Sequence, residues 1–261
     1  MPELPDVEVF KRYLDATSLH RTIQDVKVED PRLLHRISPQ RFQKNCIGCR
    51  FQSTSRHGKY LFVRLDTQRH IYFHFGMTGS VNYFKKKEKQ PEYSRILFHF
   101  SNGSLLVYVS QRVLGEIGFL KSISEFIDKK NLGADALKIE FKNFKHLIQG
   151  RRGAAKSFLM NQKRLAGIGN TYADEILFQA SIHPETDRGD LGEERMRKMF
   201  TAMNRVLKKA VDCRAEPDRF PPSYLIPQRK KDGKCPRSHG ELKKILVNGR
   251  STYFCPVCQK K

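Results

Sequence analysis

The sequence lacks the features that would place it in a membrane or outside the cell. None of its segments approaches the 18 consecutive apolar residues that a membrane-spanning helix needs. No secretory signal is visible, because Glu3 and Asp6 stand where such a signal would be basic and then apolar. The six cysteines lie mostly towards the C-terminus, which suits an intracellular metal site better than a secreted disulfide framework. We therefore expect an intracellular protein, in the cytoplasm, nucleoid or nucleus, that is not secreted.

Acidic residues are scarce relative to basic ones. The 261 residues include 49 Lys and Arg against 27 Asp and Glu, which gives a formal net charge of +22. A globular protein this basic usually binds a polyanion, most commonly nucleic acid. No basic amphipathic helix stands apart from the rest, so a membrane surface is a poorer partner. The hydrophobic content of 39% is enough for real cores, and the length allows one large domain or two smaller ones.

The first residues after the initiator carry a candidate nucleophile. A small second residue such as Pro2 normally allows removal of Met1, which would leave a secondary amine at the N-terminus. An α-amino group has a pKa of about 7.7–8.0, so much of it is neutral near pH 7 and can attack an aldehyde to form an iminium ion. Glu3 follows at once and can serve as a general acid or base. The alternative is that this start only caps the helix predicted over residues 6–15.

The next part of the chain alternates apolar and polar side chains with the period of a β-strand. Asn102-Gly103 lies between the last two predicted strands and indicates a hairpin. Together the pattern predicts an antiparallel sandwich or barrel that runs to about residue 122. The lysine-rich segment 85–89 is expected to be a solvated, mobile loop. The predicted strands are 61–65, 71–75, 95–100 and 105–109.

From residue 141 to about residue 211 the pattern is helical, with a glycine-containing turn at 167–170. Gly167 and Gly169 have no Cβ atoms, so another backbone can approach this turn closely. The amides at the start of the next helix and the Asn170 side chain would make a phosphate site. The alternative is a glycine turn that only packs two helices. Three basic residues precede the turn, namely Arg151, Arg152 and Lys156.

The C-terminal tail has the spacing Cys235-x3-His239-x15-Cys255-x2-Cys258. Thiolate and imidazole ligands in two pairs, separated by an insert of hairpin length, are typical of a structural site for one zinc ion. Asn248-Gly249 would join the two strands of that hairpin, 245–247 and 251–254. The alternative is a set of free thiols beside a surface histidine.

Cys46 and Cys49 repeat the spacing of a ligand pair but have no second pair. They lie in an apolar stretch that looks like a strand. We interpret them as packing residues without a metal or redox role.

Five motifs in order make the sequence resemble one family of enzymes. With them the chain, from Pro2 to Cys258, resembles the formamidopyrimidine-DNA glycosylase and endonuclease VIII family of base-excision repair. The motifs are Pro-Glu-Leu-Pro at 2–5, Gly-Lys-Tyr-Leu at 58–61, His-Phe-Gly-Met-Thr-Gly at 74–79, the stretch 166–175 that contains Gly-Ile-Gly-Asn, and the finger with Arg250.

The resemblance implies a role for each matching residue. Pro2 would attack C1′ of the damaged nucleoside and become the Schiff base, while Glu3 would carry out the proton transfers of ring opening and base loss. Lys59 would be the general acid and phosphate contact near the lesion, and Arg250 is assigned both to this catalytic group and to DNA binding. The hole left by the flipped base would be filled by Met77, Arg112 and, in place of an aromatic wedge, Leu114. The phosphates would be held by Arg152, Lys156, Asn170 and Arg250.

The resemblance also implies the architecture and the partners. We expect an α+β multidomain protein with an N-terminal antiparallel β-sandwich flanked by helices, a helical helix-two-turn-helix domain and a zinc finger. It would bind damaged double-stranded DNA as a monomer, with one structural zinc ion. No organic cofactor is expected, because the N-terminal amine is the electron sink for β-elimination; a second, δ-elimination would also release the 5′-phosphate. The implied boundaries are 1–122 for the sandwich, 123–140 for a linker, 141–228 for the helical domain and 229–261 for the finger.

The chain departs from the family pattern at three places. The void-filling loop, usually Asp-Pro-Arg-Arg-Phe-Gly, reads Ser-Gln-Arg-Val-Leu-Gly over residues 110–115. Arg95 stands where bacterial relatives often carry a DNA-binding histidine, and we expect it to contact DNA. Ser238 occupies the usual position of the second cysteine, so His239 takes the ligand role.

A fourth departure concerns the substrate. The connection between residues 211 and 235 looks too short for the loop that caps 8-oxoguanine in the purine-specific branch. We therefore predict a broad preference, with abasic sites and oxidised pyrimidines first. The alternative, which the Leu4-Pro5 start favours, is specificity for 8-oxoguanine and formamidopyrimidines.

Two other classes of function fit part of the sequence. A non-catalytic DNA-binding protein, such as an abasic-site sensor or zinc-finger regulator, would explain the charge and the finger. It would not explain Pro2 and Glu3 together with Lys59. A zinc-ribbon protein that binds single-stranded RNA needs no flipped base and leaves the same residues without a role.

Overall fold

The chain divides into two structural units. The computed structural model describes residues 1–85 and 89–261, so the centre of the predicted lysine-rich loop, residues 86–88, lies outside the described residues. The first unit contains Met1–Pro2 and Asp6–Lys130, and the second contains Glu3–Pro5 and Asn131–Lys261. The division falls inside the predicted linker, at the end of a helix. The four-part division proposed from the sequence stays a prediction.

The first unit is built on two four-stranded antiparallel sheets, with strand orders β1-β6-β7-β5 and β2-β3-β4-β8. Its strands are β1 (Ile23–Val28), β2 (Phe51–His57), β3 (Tyr60–Leu65), β4 (His70–His74), β5 (Gly79–Lys85), β6 (Ser94–Phe100), β7 (Ser104–Ser110) and β8 (Glu116–Leu120). Its helices are α1 (Leu4–Thr17), α2 (Pro39–Cys46) and α3 (Ile123–Lys129). The predicted sandwich with flanking helices is therefore confirmed.

Aromatic side chains fill the space between the two sheets. The ring centroids of Phe51 on β2 and Phe98 on β6 are 5.6 Å apart, and those of Phe73 on β4 and Phe98 are 6.3 Å apart. All three are buried because each lies on the inward face of its strand. The predicted hairpin at Asn102-Gly103 joins β6 to β7, and Gly103 has a φ of 78°.

The stretch around Cys46 and Cys49 is not a strand. Cys46 is the last residue of α2, which begins after Ser38, whose hydroxyl accepts a hydrogen bond from the Arg41 amide. Cys49 lies in the turn that follows, with its amide donating to the Cys46 carbonyl at 3.0 Å. Both side chains are buried, and burial raises the pKa of the Cys46 thiol. This is the environment of packing residues.

The second unit consists mainly of helices and ends in a hairpin. The predicted helical region is interrupted by loops, one two-residue strand, Leu165–Ala166, and a 3-10 turn, Arg188–Asp190. The longest helix buries one stripe of apolar side chains, which is why it packs along a single face. The elements are α4 (Phe141–Ile148), α5 (Ala155–Leu159), α6 (Asn170–Gln179), α7 (Glu193–Asp212), the parallel pair β9 (Ala134–Asp135) and β10 (Leu165–Ala166), and the hairpin β11 (Lys243–Val247) and β12 (Arg250–Phe254).

The segment that joins α7 to the hairpin covers residues 213–242. It forms two 3-10 turns, Pro217–Arg219 and Ile226–Gln228. Phe220, Tyr224 and Leu225 are buried, so this segment packs into the unit. No helix among the described ranges 1–85 and 89–261 is long and apolar enough to cross a membrane.

Candidate active site and nucleic-acid interface

Glu3 is buried at the N-terminal end of α6, although 166 residues separate it from that helix in the sequence. Its Oε2 accepts a hydrogen bond from the Gly169 amide at 2.5 Å, and its Oε1 accepts one from the Thr171 amide at 2.9 Å. These are amides that a helix N-terminus leaves without a partner inside the helix. The partial positive charge there favours a carboxylate. The fold therefore fixes the orientation of the carboxyl group that the sequence marked as an acid or base.

The glycine turn before α6 makes this contact possible. Gly167 has a φ of +118°, and a Cβ built on it would lie 2.4 Å from Cδ1 of Leu4. The Leu4 amide donates to the Gly167 carbonyl at 2.9 Å. The predicted close approach of two backbones is therefore confirmed, and the partner is the N-terminal segment.

One side chain that the sequence analysis overlooked holds the same turn. Gln162 Nε2 donates to the Ile168 carbonyl at 2.7 Å, and Gln162 Oε1 accepts from the Gly167 amide at 2.9 Å. A glutamine five residues before the turn carries no recognisable sequence signal, because its role depends on the path of the loop.

Asn170, in the first turn of α6, contacts the finger hairpin. Its Nδ2 donates to the Ser251 carbonyl at 2.9 Å, and its Oδ1 is buried without a hydrogen-bond partner among the described residues. The second hydrogen of Nδ2 is the one that can serve a phosphate oxygen. Arg250, one residue before Ser251, is exposed, as is Arg152. These positions suit phosphate contacts, which stay a prediction.

Lys156 does not occupy the position that a phosphate contact requires. The residue is 0% exposed, and its Nζ lies 2.7 Å from Asp174 Oδ1 and 2.7 Å from Thr252 Oγ1. Burial lowers the pKa of Lys156, and the Asp174 carboxylate opposes that shift. The ammonium group is enclosed and already paired within the protein, which argues against the predicted direct contact with a phosphate.

Asp174 and Arg229 complete this buried group, although the sequence pattern predicted no role for either. Asp174 is 0% exposed, and its Oδ2 lies 2.8 Å from Arg229 Nε. The same Oδ2 accepts a hydrogen bond from the Tyr253 amide at 3.1 Å. A charged residue on an otherwise buried helix was the only available signal, since Arg229 is 55 residues away.

The four predicted metal ligands come together in the finger. One ligand atom from each of Cys235, His239, Cys255 and Cys258 lies within 4.8 Å of all the others. Cys235 Sγ and Cys258 Sγ are 3.6 Å apart, close to the edge of a tetrahedron with metal–sulfur bonds of about 2.3 Å. The predicted hairpin joins the two halves of the cluster, with both Asn248 and Gly249 at positive φ. Three soft thiolates and one imidazole are a donor set that suits zinc.

The three predicted void-filling residues lie on two adjoining loops of the first unit. Arg112 Nη1 is 3.3 Å from Met77 Sδ, and the Arg112 amide donates to Thr78 Oγ1 at 3.1 Å. Met77 is 43% exposed and Leu114 is 51% exposed, which is high for large apolar side chains. A Cβ on Gly76 would lie 2.3 Å from the Leu114 carbonyl oxygen, so the loops touch. The structure therefore presents two apolar side chains and one arginine together.

Arg95 is half-buried on β6 beside the second of these loops. Its Nε donates to the Ser110 carbonyl at 2.8 Å, and its guanidinium lies 5.7 Å from the centre of the Tyr93 ring. This hydrogen bond fixes the end of β7, where the loop that carries Arg112 and Leu114 begins. Its predicted contact with DNA stays a prediction.

Lys59 occupies the two-residue turn between β2 and β3, after Gly58 with a φ of 54°. It is half-buried. Burial lowers the pKa of His74, Glu116 opposes this, and the positive charge of Lys59 adds to it. Pro2 is also half-buried and belongs, like Lys59, to the first unit, whereas Glu3, Asn170 and Arg250 belong to the second.

Comparison with known proteins gives the same assignment for both halves of the chain. Residues 1–117 match the formamidopyrimidine-DNA glycosylase N-terminal domain, and residues 132–220 match the formamidopyrimidine-DNA glycosylase H2TH domain. A formamidopyrimidine-DNA glycosylase from Symbiobacterium thermophilum is 32% identical, over 99% of this chain and 89% of that protein. Another from Bacillus subtilis is 30% identical, over 100% of both chains.

Solved structures agree over the full length. A mutant of the Lactococcus lactis protein in complex with DNA that contains Fapy-dG has a TM-score of 0.90 and 27% identity, covering 100% of both chains. The Lactococcus lactis protein in complex with DNA that contains an abasic site has a TM-score of 0.88 and 27% identity, covering 99% of this chain and 100% of that one.

Proposed function

The chain belongs to the formamidopyrimidine-DNA glycosylase family, and we propose that it removes oxidised bases from duplex DNA through a Schiff base on Pro2. Membership makes it a DNA glycosylase and abasic-site lyase of base-excision repair that binds damaged DNA. The observation that carries the assignment of residues is the position of Glu3. A carboxylate directly after an N-terminal proline is held by two backbone amides of α6.

We assign the first covalent step to the amine of Pro2. Its nitrogen forms a bond to C1′, and the base departs with the electron pair of the glycosidic bond. Glu3, fixed in orientation, exchanges protons with the opening sugar ring. The resulting iminium ion acidifies the C2′–H bond, whose proton passes to water. The freed electron pair forms the C2′–C3′ double bond, and the 3′-phosphate leaves with the electron pair of the C3′–O bond. Lys59, in the turn between β2 and β3, is proposed as the acid and phosphate contact beside the lesion.

The exposed loop residues support base flipping. A flipped base leaves a gap in the duplex, and the cost of unstacking is a few kcal/mol. Met77, Arg112 and Leu114 lie on adjoining loops, and the apolar side chains of Met77 and Leu114 are 43% and 51% exposed. We propose that they fill this gap, and that Arg152, Asn170 and Arg250 hold phosphates around it.

We propose that the finger binds one zinc ion through Cys235, His239, Cys255 and Cys258. The ion would supply structure and no chemistry, since all four protein ligands close its coordination shell. We further propose that the protein acts as a monomer inside the cell, where its DNA lies. No organic cofactor enters the mechanism.

The lesion preference rests on the segment after α7. This segment is short, and buried Phe220, Tyr224 and Leu225 hold it against the helical unit. Without a long capping loop, an intact 8-oxoguanine meets few groups that grip its edge. We therefore propose that abasic sites and oxidised pyrimidines are processed first. The second candidate is preference for formamidopyrimidines, which the names of the relatives and the Fapy-dG complex favour.

Borohydride trapping tests the nucleophile. Only an enzyme that forms an imine becomes covalently joined to abasic DNA, so trapping should succeed with the processed protein. A protein shown by mass spectrometry to retain Met1 should neither trap nor excise. Pro2→Gly should keep part of the lyase activity, because a primary amine also forms imines. Full activity with Met1 retained would show that Pro2 is not the nucleophile.

A panel of lesions tests the preference. Single-turnover excision is compared on matched duplexes with thymine glycol, 5-hydroxyuracil, formamidopyrimidine or 8-oxoguanine. We expect the two pyrimidines to be removed fastest. Fastest removal of formamidopyrimidine would establish the second candidate, and fastest removal of 8-oxoguanine opposite cytosine would refute the argument from the short segment.

A further inference from the structure

Three charged residues of the second unit form a buried ion cluster that the proposed chemistry does not use. We call Lys156, Asp174 and Arg229 the buried triad. Asp174 Oδ1 lies 2.7 Å from Lys156 Nζ, and Asp174 Oδ2 lies 2.8 Å from Arg229 Nε. The side chains of Lys156, Asp174 and Arg229 are 1%, 0% and 16% exposed. Buried charges of this kind are weak evidence for stability, because apolar residues of similar volume often do as well. A specific geometric role is therefore worth seeking.

The triad holds one short piece of β12. The Ser251 carbonyl accepts hydrogen bonds from Lys156 Nζ at 3.2 Å and from Arg229 Nη2 at 3.3 Å. Lys156 Nζ also donates to Thr252 Oγ1 at 2.7 Å, and Asp174 Oδ2 accepts from the Tyr253 amide at 3.1 Å. Three consecutive residues are thus fixed by the triad. The residue before them is Arg250, the exposed arginine of the finger.

The same helix carries the phosphate-binding asparagine. Asn170 lies one turn before Asp174 on α6, and its Nδ2 donates to the same Ser251 carbonyl at 2.9 Å. A single carbonyl oxygen therefore has three donors from three different segments. This convergence sets the register of β12 against α6, and with it the separation of Arg250 from Asn170.

We propose that the buried triad positions Arg250 and Asn170 for a shared grip on the DNA backbone. The inference deepens the proposed function and rests on its assignment of Arg250 to a phosphate. Lys156, Asp174 and Arg229 act through the Ser251 carbonyl as positioning residues and do not touch DNA. Loss of one triad member shifts β12, so Arg250 loses its contact even though its own side chain is intact.

A double-mutant cycle tests this proposal. DNA affinity is measured on a duplex that contains a tetrahydrofuran analogue of an abasic site, so that binding is observed without cleavage. Lys156→Met and Arg250→Ala should each weaken binding about tenfold, the size of one charge-assisted hydrogen bond. The double variant should also be weakened about tenfold, because the second change removes a contact already lost. Lys198→Met is the matched control, since it makes the same change of charge at an exposed pair with Glu194. It should change binding less than twofold.

Three results would overturn the proposal. A loss of about a hundredfold in the double variant would mean that Lys156 and Arg250 contribute independently. Normal binding by Lys156→Met would mean that the triad does not position the finger. Normal binding by Arg250→Ala would remove the contact that the triad is proposed to position.

Three further measurements separate positioning from folding and from chemistry. The zinc content and circular dichroism spectrum of Lys156→Met should match those of the wild-type protein. Its half-saturating DNA concentration for abasic-site cleavage should rise about tenfold, while the plateau rate stays unchanged. If Lys156→Met does not fold, Arg229→Met takes its place in the cycle, because that side chain is partly exposed. If the wild-type protein is not trapped by borohydride, the proposed function is wrong. If it is trapped but the effects in the double-mutant cycle are additive, only the role of the buried triad is wrong.

Discussion

Replacement of Gly167 by alanine tests whether the glycine turn sets the position of Glu3. The new Cβ would lie 2.4 Å from Cδ1 and 2.8 Å from Cβ of Leu4, which is itself fully buried. Either Leu4 or the turn must move. Leu4 adjoins Glu3, and its amide is bonded to the Gly167 carbonyl, so the carboxylate would be displaced from its two amides on α6.

The size of the effect follows from two contributions. A residue with a side chain in left-handed backbone, at a φ of +118°, costs about 1–2 kcal/mol. Overpacking against Leu4 adds about 1–3 kcal/mol. We expect Gly167→Ala to lower the free energy of unfolding of the helical unit by about 2–5 kcal/mol. Misplacement of a catalytic group by about 1 Å can slow a reaction on the order of a hundredfold, so base excision should slow by about 10- to 100-fold.

Gly103→Ala is the control, because Gly103 has a φ of +78° with nothing within 4 Å of a built Cβ. It should lose only the backbone contribution and keep the wild-type rate of excision. Urea denaturation followed by circular dichroism measures stability, and single-turnover excision at a temperature where all variants are folded measures activity. Equal stability and equal activity of the two variants would show that Gly167 does not set the position of Glu3.

Three other variants probe separate parts of the molecule. Cys255→Ser should lose the metal and weaken DNA binding while the first unit stays folded, as elemental analysis and circular dichroism would show; full zinc content would contradict the ligand assignment. Leu114→Ala should slow excision of a base more than cleavage of a preformed abasic site, because only the former needs the gap held open; equal effects in single-turnover assays would contradict this. Burial raises the pKa of Glu175 from its usual value of 4.5 to about 7. Between these two pH values the native state keeps a proton that the unfolded state has released, so the free energy of unfolding falls as the pH rises. Glu175→Gln should remove this dependence, with its melting temperature rising relative to the wild type from pH 5 to pH 8; parallel curves would exclude the shift.

Local patterns in the sequence were enough to predict several strands, one hairpin and the metal-ligand cluster. The alternation of side chains predicted the strands, Asn102-Gly103 predicted the β6–β7 hairpin, and the cysteine and histidine spacing predicted a ligand cluster that the fold brings together. These predictions succeed because their geometry involves neighbours in the chain. The strand-like interpretation of the stretch around Cys46 and Cys49 was wrong, because a short apolar run does not distinguish a helix end from a strand.

Which polar groups meet across long separations in the sequence depends on the tertiary structure. Lys156 had the sequence context of a phosphate ligand, yet packing buries it against Asp174 and the finger. Glu3 was recognisable as an acid, but its anchoring on α6 depends on contacts between residues 166 positions apart. A charged side chain has the same identity in the sequence whether it is solvated or enclosed. Its role is set by the desolvation and pairing that the surrounding fold imposes.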